Sequence, residues 1–282
     1  MKLINSRYEI LEQGEGLQGI YEQIERVGKT CYKSEVKGGE SAKNFVEKMI
    51  ANQHYAMLEH GTVYLTIDSF GRGYQEGMKY INNPYSKVNV EGTTQYVTTN
   101  LRVLVENGWM DDLNYYLCEP TQYHVKRVCV KFICDRGVSH ELVRHRVFSF
   151  AQESTRYCNY SKDKFDNEIT FIEPYWWQGV VIGGSKAKKY IVKCCRSLLN
   201  LIEALYKAMT VGGEFKAQDA RWILPNALKT EVCMTGFVDD AGWKHFFDLR
   251  ALDKTGPAHP DMKALALPLY NDFIQRGLIN PQ

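Results

Sequence analysis

Residues 143–161 read VRHRVFSFAQESTRYCNYS, and this stretch places three arginines and a histidine beside several hydroxyl side chains. An arginine side chain ends in a planar charged fork that can bind a phosphate group through two hydrogen bonds. Serine and threonine hydroxyls supply further donors. The combination therefore predicts a local binding site for a phosphorylated, aromatic ligand.

Two other interpretations of this stretch stay open on charge alone. Arg144 and Arg146 can form a solvated helix face, with Ser149, Ser154 and Thr155 ending the helix, because short basic clusters are common. A nucleic-acid-binding module is the other interpretation, and it predicts basic and aromatic residues interleaved along the whole chain. The net charge of +2 argues against that module, so we expect no nucleic-acid partner.

Length and composition indicate an ordinary globular protein. The 282 residues are 44% hydrophobic and 24% charged, which is enough to bury a core. No run reaches the roughly 18 apolar residues of a membrane helix, and the first residues lack the apolar core of a signal peptide. We therefore expect a cytoplasmic protein without a membrane partner.

The eight cysteines form no CxxC pair and lie mostly in apolar segments. Zinc sites and secreted disulfide frameworks have tighter cysteine spacing. The sequence thus predicts reduced, buried thiols and no bound metal.

The order of the predicted elements favours an α+β fold, a mixed sheet with flanking helices. Strands are predicted for residues 2–11 and for the apolar run HVKRVCVKFICDRG, and the longest helix for residues 185–210. The face of this helix that we expect to be buried carries Ile191, Cys195, Leu198, Ile202 and Leu205. Strands come early and helices late without regular alternation, which argues against a doubly wound sheet.

A helix capped by Ser139 is expected to run through the arginine-rich stretch. Side chains turn by about 100° per residue on a helix, so Arg144, His145 and Arg146 would point in three directions. They could then bridge two ligands, because they cannot all hold one small anion.

The whole chain, residues 1–282, is predicted to form a single domain with one inserted segment. Residues 71–120 are turn-rich at first and helical later, and they are too few to form an independent core.

The sequence GEGLQG at residues 14–19 matches the pattern of a dinucleotide-binding turn. Arg7 and Glu9 in the preceding strand do not suit the buried parallel strand that such a turn requires. We interpret the segment as an ordinary glycine-rich turn.

The arginine-rich stretch also resembles a known signature. RHRVFSFAQESTRY is similar to the motif of flavin-dependent thymidylate synthases, in which an Arg-His-Arg triplet precedes a Ser-x-Arg-Tyr element at this spacing. Three other segments agree with the family in order: NQHYAMLEHGTVYLTI, ARWILPNALKTEVCMTG and WKHFFDLR. The resemblance implies the fold of the thymidylate synthase-complementing proteins, with residues 71–120 as an insertion that compact members lack.

The resemblance also implies an activity and a set of partners. The family converts dUMP to dTMP, with methylenetetrahydrofolate as the one-carbon donor and FAD, reduced by NADPH, as the hydride donor. Its members form homotetramers with sites at subunit interfaces. This chain lacks the proline-cysteine-histidine arrangement of the unrelated folate-only enzymes, which fits a reaction without an enzyme nucleophile.

The site residues are carried over from the family onto matching positions. Those expected at the cofactor are Arg144, His145, Arg146, Gln152 and His245, together with His60 and Thr62 from a neighbouring subunit. Those expected at the nucleotide are Glu141, Arg144, Gln152, Glu153, Ser154, Thr155, Arg156, Arg221 and Arg250. Arg250 is the predicted catalytic residue, because a fixed guanidinium can stabilise negative charge that develops on the pyrimidine ring.

Two positions depart from the family pattern. Glu141 stands where a glutamine commonly contacts the nucleotide, and GFVDDAGW lacks the asparagine and arginine that usually meet flavin, with Asp239 and Ala241 near those positions. Two alternatives therefore stay open: a pyrimidine-nucleotide hydroxymethylase on the same scaffold, and a non-catalytic nucleotide- or RNA-binding protein.

Overall fold

The computed structural model describes residues 1–68 and 72–281 of the chain. The strands are β1 (Lys2–Ile4), β2 (Arg7–Leu11), β3 (Thr62–Asp68), β4 (Lys87–Glu91), β5 (Thr94–Asn100), β6 (Arg127–Asp135), β7 (Ser149–Gln152), β8 (Thr170–Ile172) and β9 (Lys229–Phe237). The helices are α1 (Gly16–Thr30), α2 (Glu40–Ala51), α3 (Arg72–Ile81), α4 (Leu101–Asn107), α5 (Asp112–Tyr115), α6 (Arg136–Leu142), α7 (Trp176–Gly183), α8 (Lys186–Thr210), α9 (Ala217–Ala220), α10 (Trp243–Arg250) and α11 (Pro260–Gln275). Short 3-10 helices cover Tyr55–His60, Asp163–Phe165 and Arg221–Ile223.

A four-stranded antiparallel sheet in the order β2-β6-β9-β7 positions the rest of the fold. Successive side chains of a strand point to opposite faces. On one face of β6 and β9, side chains such as Phe132, Val232 and Met234 enter an apolar core with α10 and α11. The opposite face carries Lys229, Glu231, Cys233 and Thr235 and lies toward α1. The sheet thus has one apolar face and one largely polar face.

Aromatic side chains fix α10 against the apolar face. Trp243, Phe246 and Phe247 are each at most 1% exposed, and the Trp243 indole nitrogen donates to the Val128 carbonyl at 3.2 Å. The Trp243 ring also lies 5.2 Å from the Phe273 ring of α11.

A second antiparallel sheet, β3-β5-β4, takes β4 and β5 from the 71–120 segment. Its apolar side chains share a core with α1 and α2, including Ile24, Val46, Leu65, Val97 and Leu104. The segment therefore buries its apolar residues together with the N-terminal part of the chain. Its status as an insertion stays a prediction.

The α+β class is confirmed, because helices and mainly antiparallel strands are present in separate layers. The parallel pairing that makes the sheets mixed is between β1 and β8. The strand predicted for residues 2–11 is divided into β1 and β2, which pair with different partners.

The predicted helix through the arginine-rich stretch is wrong. Helix α6 ends at Leu142, residues 143–148 form turns, and Ser149–Gln152 is a strand paired with β9. Asp135 caps α6 by accepting from the Val138 amide at 2.9 Å, whereas the Ser139 hydroxyl donates to the Arg136 carbonyl. Pairing with the distant β9 overrides the local helical pattern, because a strand at the sheet edge buries Ala151 and satisfies its backbone.

The predicted glycine-rich turn lies between β2 and α1. Strand β2 pairs antiparallel with β6, so the parallel unit of a dinucleotide-binding fold is absent at this point. A Cβ atom on Gly19 would come within 1.9 Å of the Gly14 carbonyl oxygen, so the turn is too tight for a side chain there.

Helix α8 has apolar residues on two faces. Val192, Leu199 and Tyr206 are buried, whereas Ile191, Leu198 and Leu205 are 49–57% exposed. The predicted buried face is therefore wrong for these three positions, because sequence periodicity cannot tell which of two apolar faces meets the core. Within the described ranges, no helix is both long enough and apolar enough to cross a membrane.

All eight cysteines are free thiols. Cys129, Cys134, Cys158 and Cys233 are buried, and Cys194 is exposed on α8. In residues 1–68 and 72–281, no group of three or more histidine, cysteine, aspartate or glutamate side chains is placed to hold a metal ion.

Candidate active site

Arg250 joins the end of α10 to the arginine-rich stretch. Its Nε donates to Nε2 of His145 at 3.2 Å, and its Nη1 donates to the Glu141 carboxylate at 3.0 Å. Glu141 lies on α6 and His145 in the turn that follows it. Three residues predicted to share a site are thus in direct contact.

The His145 imidazole is neutral in this arrangement. Burial, together with the smaller effects of the nearby Arg250 and His245 charges, lowers the pKa of His145 to about 4. Because Nε2 accepts the Arg250 hydrogen bond, the ring proton lies on Nδ1. A neutral acceptor and a carboxylate therefore hold the guanidinium, and its remaining N–H groups stay available for a ligand.

A cavity of about 450 Å³ lies beside the turn that contains Arg146. Arg146, Phe148 and Ser149 line it, and so do Asp239 and Gly242 from the segment before α10. Arg146 of the arginine triplet and the Asp239 segment, which departs from the family pattern, therefore line one cavity. The side chains of Arg144 and His245 are exposed.

Gln152 and Glu153 are held by the protein. The Gln152 amide nitrogen donates to the hydroxyls of Ser139 and Thr230 at 3.0 and 3.1 Å. Glu153 is 2% exposed and accepts from Lys229 at 2.6 Å and from the Tyr160 hydroxyl at 3.0 Å. Both side chains support the backbone that leads into residues 154–156, and their role toward a nucleotide stays a prediction.

Glu153 belongs to a row of alternating charges on the polar face of the sheet. Lys229 contacts Glu231 at 2.9 Å, and Lys33 also pairs with Glu231. Burial opposes ionisation of Glu231, but the Lys229 and Lys33 charges outweigh it and lower its pKa to about 2. Sequence reasoning missed this row, because its members are far apart along the chain.

The remaining predicted nucleotide residues are Ser154, Thr155, Arg156 and Arg221. The Ser154 hydroxyl accepts from the Arg156 amide at 3.3 Å, and the Arg156 guanidinium carbon lies 5.4 Å from the Tyr157 ring centroid. Thr155 is buried, and Arg221 is exposed on its 3-10 helix. In the described part of the chain, no hydrogen bond or ion pair joins Arg156 or Arg221 to Arg250.

His60 and Thr62 line a second cavity of about 340 Å³. His60 is 1% exposed, and its Nδ1 lies 2.7 Å from the Thr235 hydroxyl, while its Nε2 has no hydrogen-bond partner within the described residues. Arg127 lines both cavities. The structure thus places His60 and Arg146 in separate cavities that share Arg127, a residue that sequence reasoning missed.

The chain was compared with known proteins. A sequence profile of the family described as "Thymidylate synthase complementing protein" matches residues 118–276, which is more than half of the chain. The chain belongs to this family. The matched range contains the arginine-rich stretch and Arg250, whereas most of the 71–120 segment, His60 and Thr62 lie before it.

Curated relatives carry one common name. The flavin-dependent thymidylate synthase of Thermococcus onnurineus (strain NA1) is 36% identical over 148 residues, which cover 52% of this chain and 54% of the relative. The enzymes of the same name from Geobacter sulfurreducens and Pyrococcus furiosus are 31% and 30% identical, over 48% and 52% of this chain and 50% and 54% of those proteins. The match spans about half the length of these relatives.

Solved structures with similar chain tracing include a UMP/dUMP methylase, PolB from Streptomyces cacaoi, bound with 5-Br dUMP. The TM-score is 0.46 at 14% identity, and the superposition covers 98% of this chain and 93% of that one. A TM-score below 0.5 is too low to support a conclusion about this chain.

The buried His145 makes stability depend on pH. An unfolded histidine has a pKa near 6.5, so between about pH 6.5 and pH 4 the unfolded state takes up a proton that the folded state does not. We therefore expect His145 to lower the unfolding free energy by up to about 3 kcal/mol as the pH falls through this window. A His145→Gln variant retains an acceptor for Arg250 but cannot titrate.

Urea denaturation of the wild type and of His145→Gln at pH 7, 5.5 and 4.5 measures this effect. The wild type should lose stability more steeply than the variant as the pH falls. Parallel pH profiles would contradict the assignment of a neutral, buried imidazole.

Proposed function

We propose that the chain is a flavin-dependent thymidylate synthase. It converts dUMP to dTMP, with methylenetetrahydrofolate as the one-carbon donor and FAD, reduced by NADPH, as the hydride donor. Family membership and the shared name of the curated relatives support this proposal. The structural observation that carries it is the Arg250 guanidinium, which is held by Glu141 and by His145, the residue directly before the cavity-lining Arg146.

Arg250 is the proposed catalytic residue. C5 of the pyrimidine ring becomes nucleophilic when the ring is polarised toward an enolate-like form, in which negative charge lies on a ring oxygen. A guanidinium that is fixed before the reaction stabilises this charge without having to reorient during the reaction. Bound reduced flavin supplies the hydride that completes the methyl group.

The neutral His145 and the Glu141 carboxylate orient Arg250 through two of its N–H groups. Glu141 also compensates part of the guanidinium charge, so this site does not depend on the nucleotide to hold the arginine in place. Glutamine, the common family residue at position 141, could accept the same hydrogen bond from Arg250 but would not compensate its charge. The glutamate in this chain therefore adds charge compensation to the proposed site.

The other predicted residues keep their proposed roles. Arg144, His145, Arg146, Gln152 and His245 contact the flavin, with His60 and Thr62 of a neighbouring subunit. Glu141, Arg144, Gln152, Glu153 and Arg221 contact or support the nucleotide, and Ser154, Thr155 and Arg156 bind its phosphate. The exposed Arg156 fork and the hydroxyl of Ser154 in one turn suit a phosphate ligand.

The absorption spectrum of the purified chain tests this function. We expect a flavin spectrum that bleaches when NADPH is added under anaerobic conditions. After addition of dUMP and methylenetetrahydrofolate, mass analysis should find dTMP. A colourless protein that binds no added FAD would contradict the proposal, and a hydroxymethylated product would replace it with the hydroxymethylase.

Removal of the Arg250 side chain should separate binding from turnover. We expect Arg250→Ala to retain bound flavin and to lose roughly 10²- to 10³-fold in kcat, as when an oxyanion donor is removed. Arg7→Ala, which removes an exposed arginine on β2, is the matched control and should keep wild-type turnover. An Arg250→Ala variant with unchanged kcat would exclude Arg250 from catalysis.

We also propose a homotetramer, and an exposed face of α8 supports self-association. Ile191, Cys194, Leu198, Leu201 and Leu205 alternate in steps of three and four residues, and all five are exposed. This is the spacing of a helix that packs along another helix. The flanking positions Tyr190, Ser197 and Ala204 carry no charge, so they place no like charges beside this face.

Charges placed in this face should dissociate the assembly. A Leu198→Glu, Leu201→Glu double variant should elute from gel filtration with light-scattering detection at a smaller mass than the wild type. Its thermal midpoint should fall only because subunit association is lost, since neither side chain lies in the core of the single chain. Lys193→Glu alters the charge of the same helix outside the face and should keep the wild-type mass. A double variant with unchanged mass would contradict assembly through α8.

A further inference from the structure

The 71–120 segment forms one wall of the cavity that contains Arg146. Tyr85, Lys87, Asn100 and Arg102 line the cavity from this segment. The opposite wall comes from the arginine-rich stretch and from residues 237–242. The cavity thus has its shape only when the segment is present.

An ion pair connects the two walls. Lys87 Nζ lies 3.1 Å from the Asp239 carboxylate. The second oxygen of Asp239 accepts from the Gly242 amide at 2.7 Å, which fixes the carboxylate in the cavity. Without Lys87, this carboxylate would repel an anionic ligand at short range.

Two arginines of the cavity have no counter-charge. Arg102 pairs with Glu59 and Glu106, but Arg127 and Arg146 form no ion pair with a carboxylate in residues 1–68 and 72–281. Arg127 Nη1 donates to the Glu59 carbonyl at 2.9 Å, and its Nε is buried without a hydrogen-bond partner in the same ranges. A buried donor atom of a charged group is costly to leave without a partner, so an anion in the cavity would stabilise Arg127.

Arg127 stays charged at neutral pH. Burial lowers its pKa to about 10, which is still well above 7. Its guanidinium carbon lies 5.3 Å from the Phe237 ring centroid, and Lys87 Nζ lies 5.7 Å from the same centroid. Both cations are therefore held at the aromatic ring that lines the cavity.

We propose that the 71–120 segment is part of the cofactor site, and that Lys87 of this segment acts there together with Arg127 of β6, neither of which is in the predicted set. Arg127 binds the diphosphate of a dinucleotide, and Lys87 neutralises Asp239 so that this anion can enter. The identity of the dinucleotide as FAD rests on the proposed function. The segment thereby compensates for the family positions that Asp239 and Ala241 have replaced.

A double-mutant cycle with FAD as the probe tests the role of Lys87. Quenching of flavin fluorescence during titration with the full chain gives the dissociation constant. We expect Lys87→Ala to weaken FAD binding about tenfold, because an uncompensated carboxylate then faces the diphosphate. Adding Asp239→Asn to this variant should restore affinity to within about threefold of the wild type, since the repulsive charge is gone.

Lys244→Ala is the matched control. Lys244 pairs with Asp240 at 3.0 Å, next to Asp239 in the chain, and neither residue lines the cavity. This variant should bind FAD like the wild type. A Lys87→Ala, Asp239→Asn variant that binds no better than Lys87→Ala alone would overturn the charge-compensation role.

Arg127→Met should weaken binding of both FAD and ADP, because the two probes share a diphosphate and ADP lacks the flavin ring. Arg127→Lys, which keeps the charge, should restore part of the affinity. Thermal melting shows whether each variant is folded. If Arg127→Met is unfolded, the double-mutant cycle at Lys87 and Asp239 tests the inference instead. If folded Arg127→Met and Lys87→Ala both bind FAD with wild-type affinity, this inference is overturned but the proposed function is not. If the wild type itself binds no FAD, the proposed function is contradicted.

Discussion

The contact of Arg250 with His145 and Glu141 is the interaction on which the candidate site depends. The two sides of this contact lie more than 100 residues apart in the chain. Burial of Trp243, Phe246 and Phe247 fixes the rotation of α10, and Arg250 lies one helical turn after Phe246. The Phe246 ring is 5.1 Å from the His145 ring, so the same aromatic core positions both partners.

The two faces of the central sheet explain where the charges lie. On β9, Val232 and Met234 enter the apolar core, and the alternating positions Lys229, Glu231 and Thr235 lie on the polar face. Buried charges are tolerated when they are paired, and Lys229 is paired with two carboxylates. Arg127, at the start of β6, has no such pair among the residues that the structure describes, and it lines two cavities. Paired charges such as Lys229 therefore stabilise the fold, whereas the charge of Arg127 is available to a ligand.

The sequence alone predicted the fold class and several helices, because their apolar periodicity is local. It gave the wrong structure for residues 143–152, where strand pairing with the distant β9 decides the backbone, and the wrong face of α8, where two apolar faces compete. The site was predictable mainly through the resemblance. Residue spacing could not bring Arg250 to His145, and nothing in the sequence near Lys87 or Arg127 indicated that both face the cavity of Arg146.

The central claim is that fixed cations hold two anionic ligands, a flavin and a pyrimidine nucleotide, so that carbon and hydride transfer need no covalent link to the protein. A crystal structure of the chain with FAD and dUMP tests it most directly. The account predicts Arg146 against the flavin, Arg156 on the nucleotide phosphate, and Arg250 within hydrogen-bond distance of the pyrimidine ring. A complex in which Arg146 and Arg156 face solvent, away from both ligands, would contradict it.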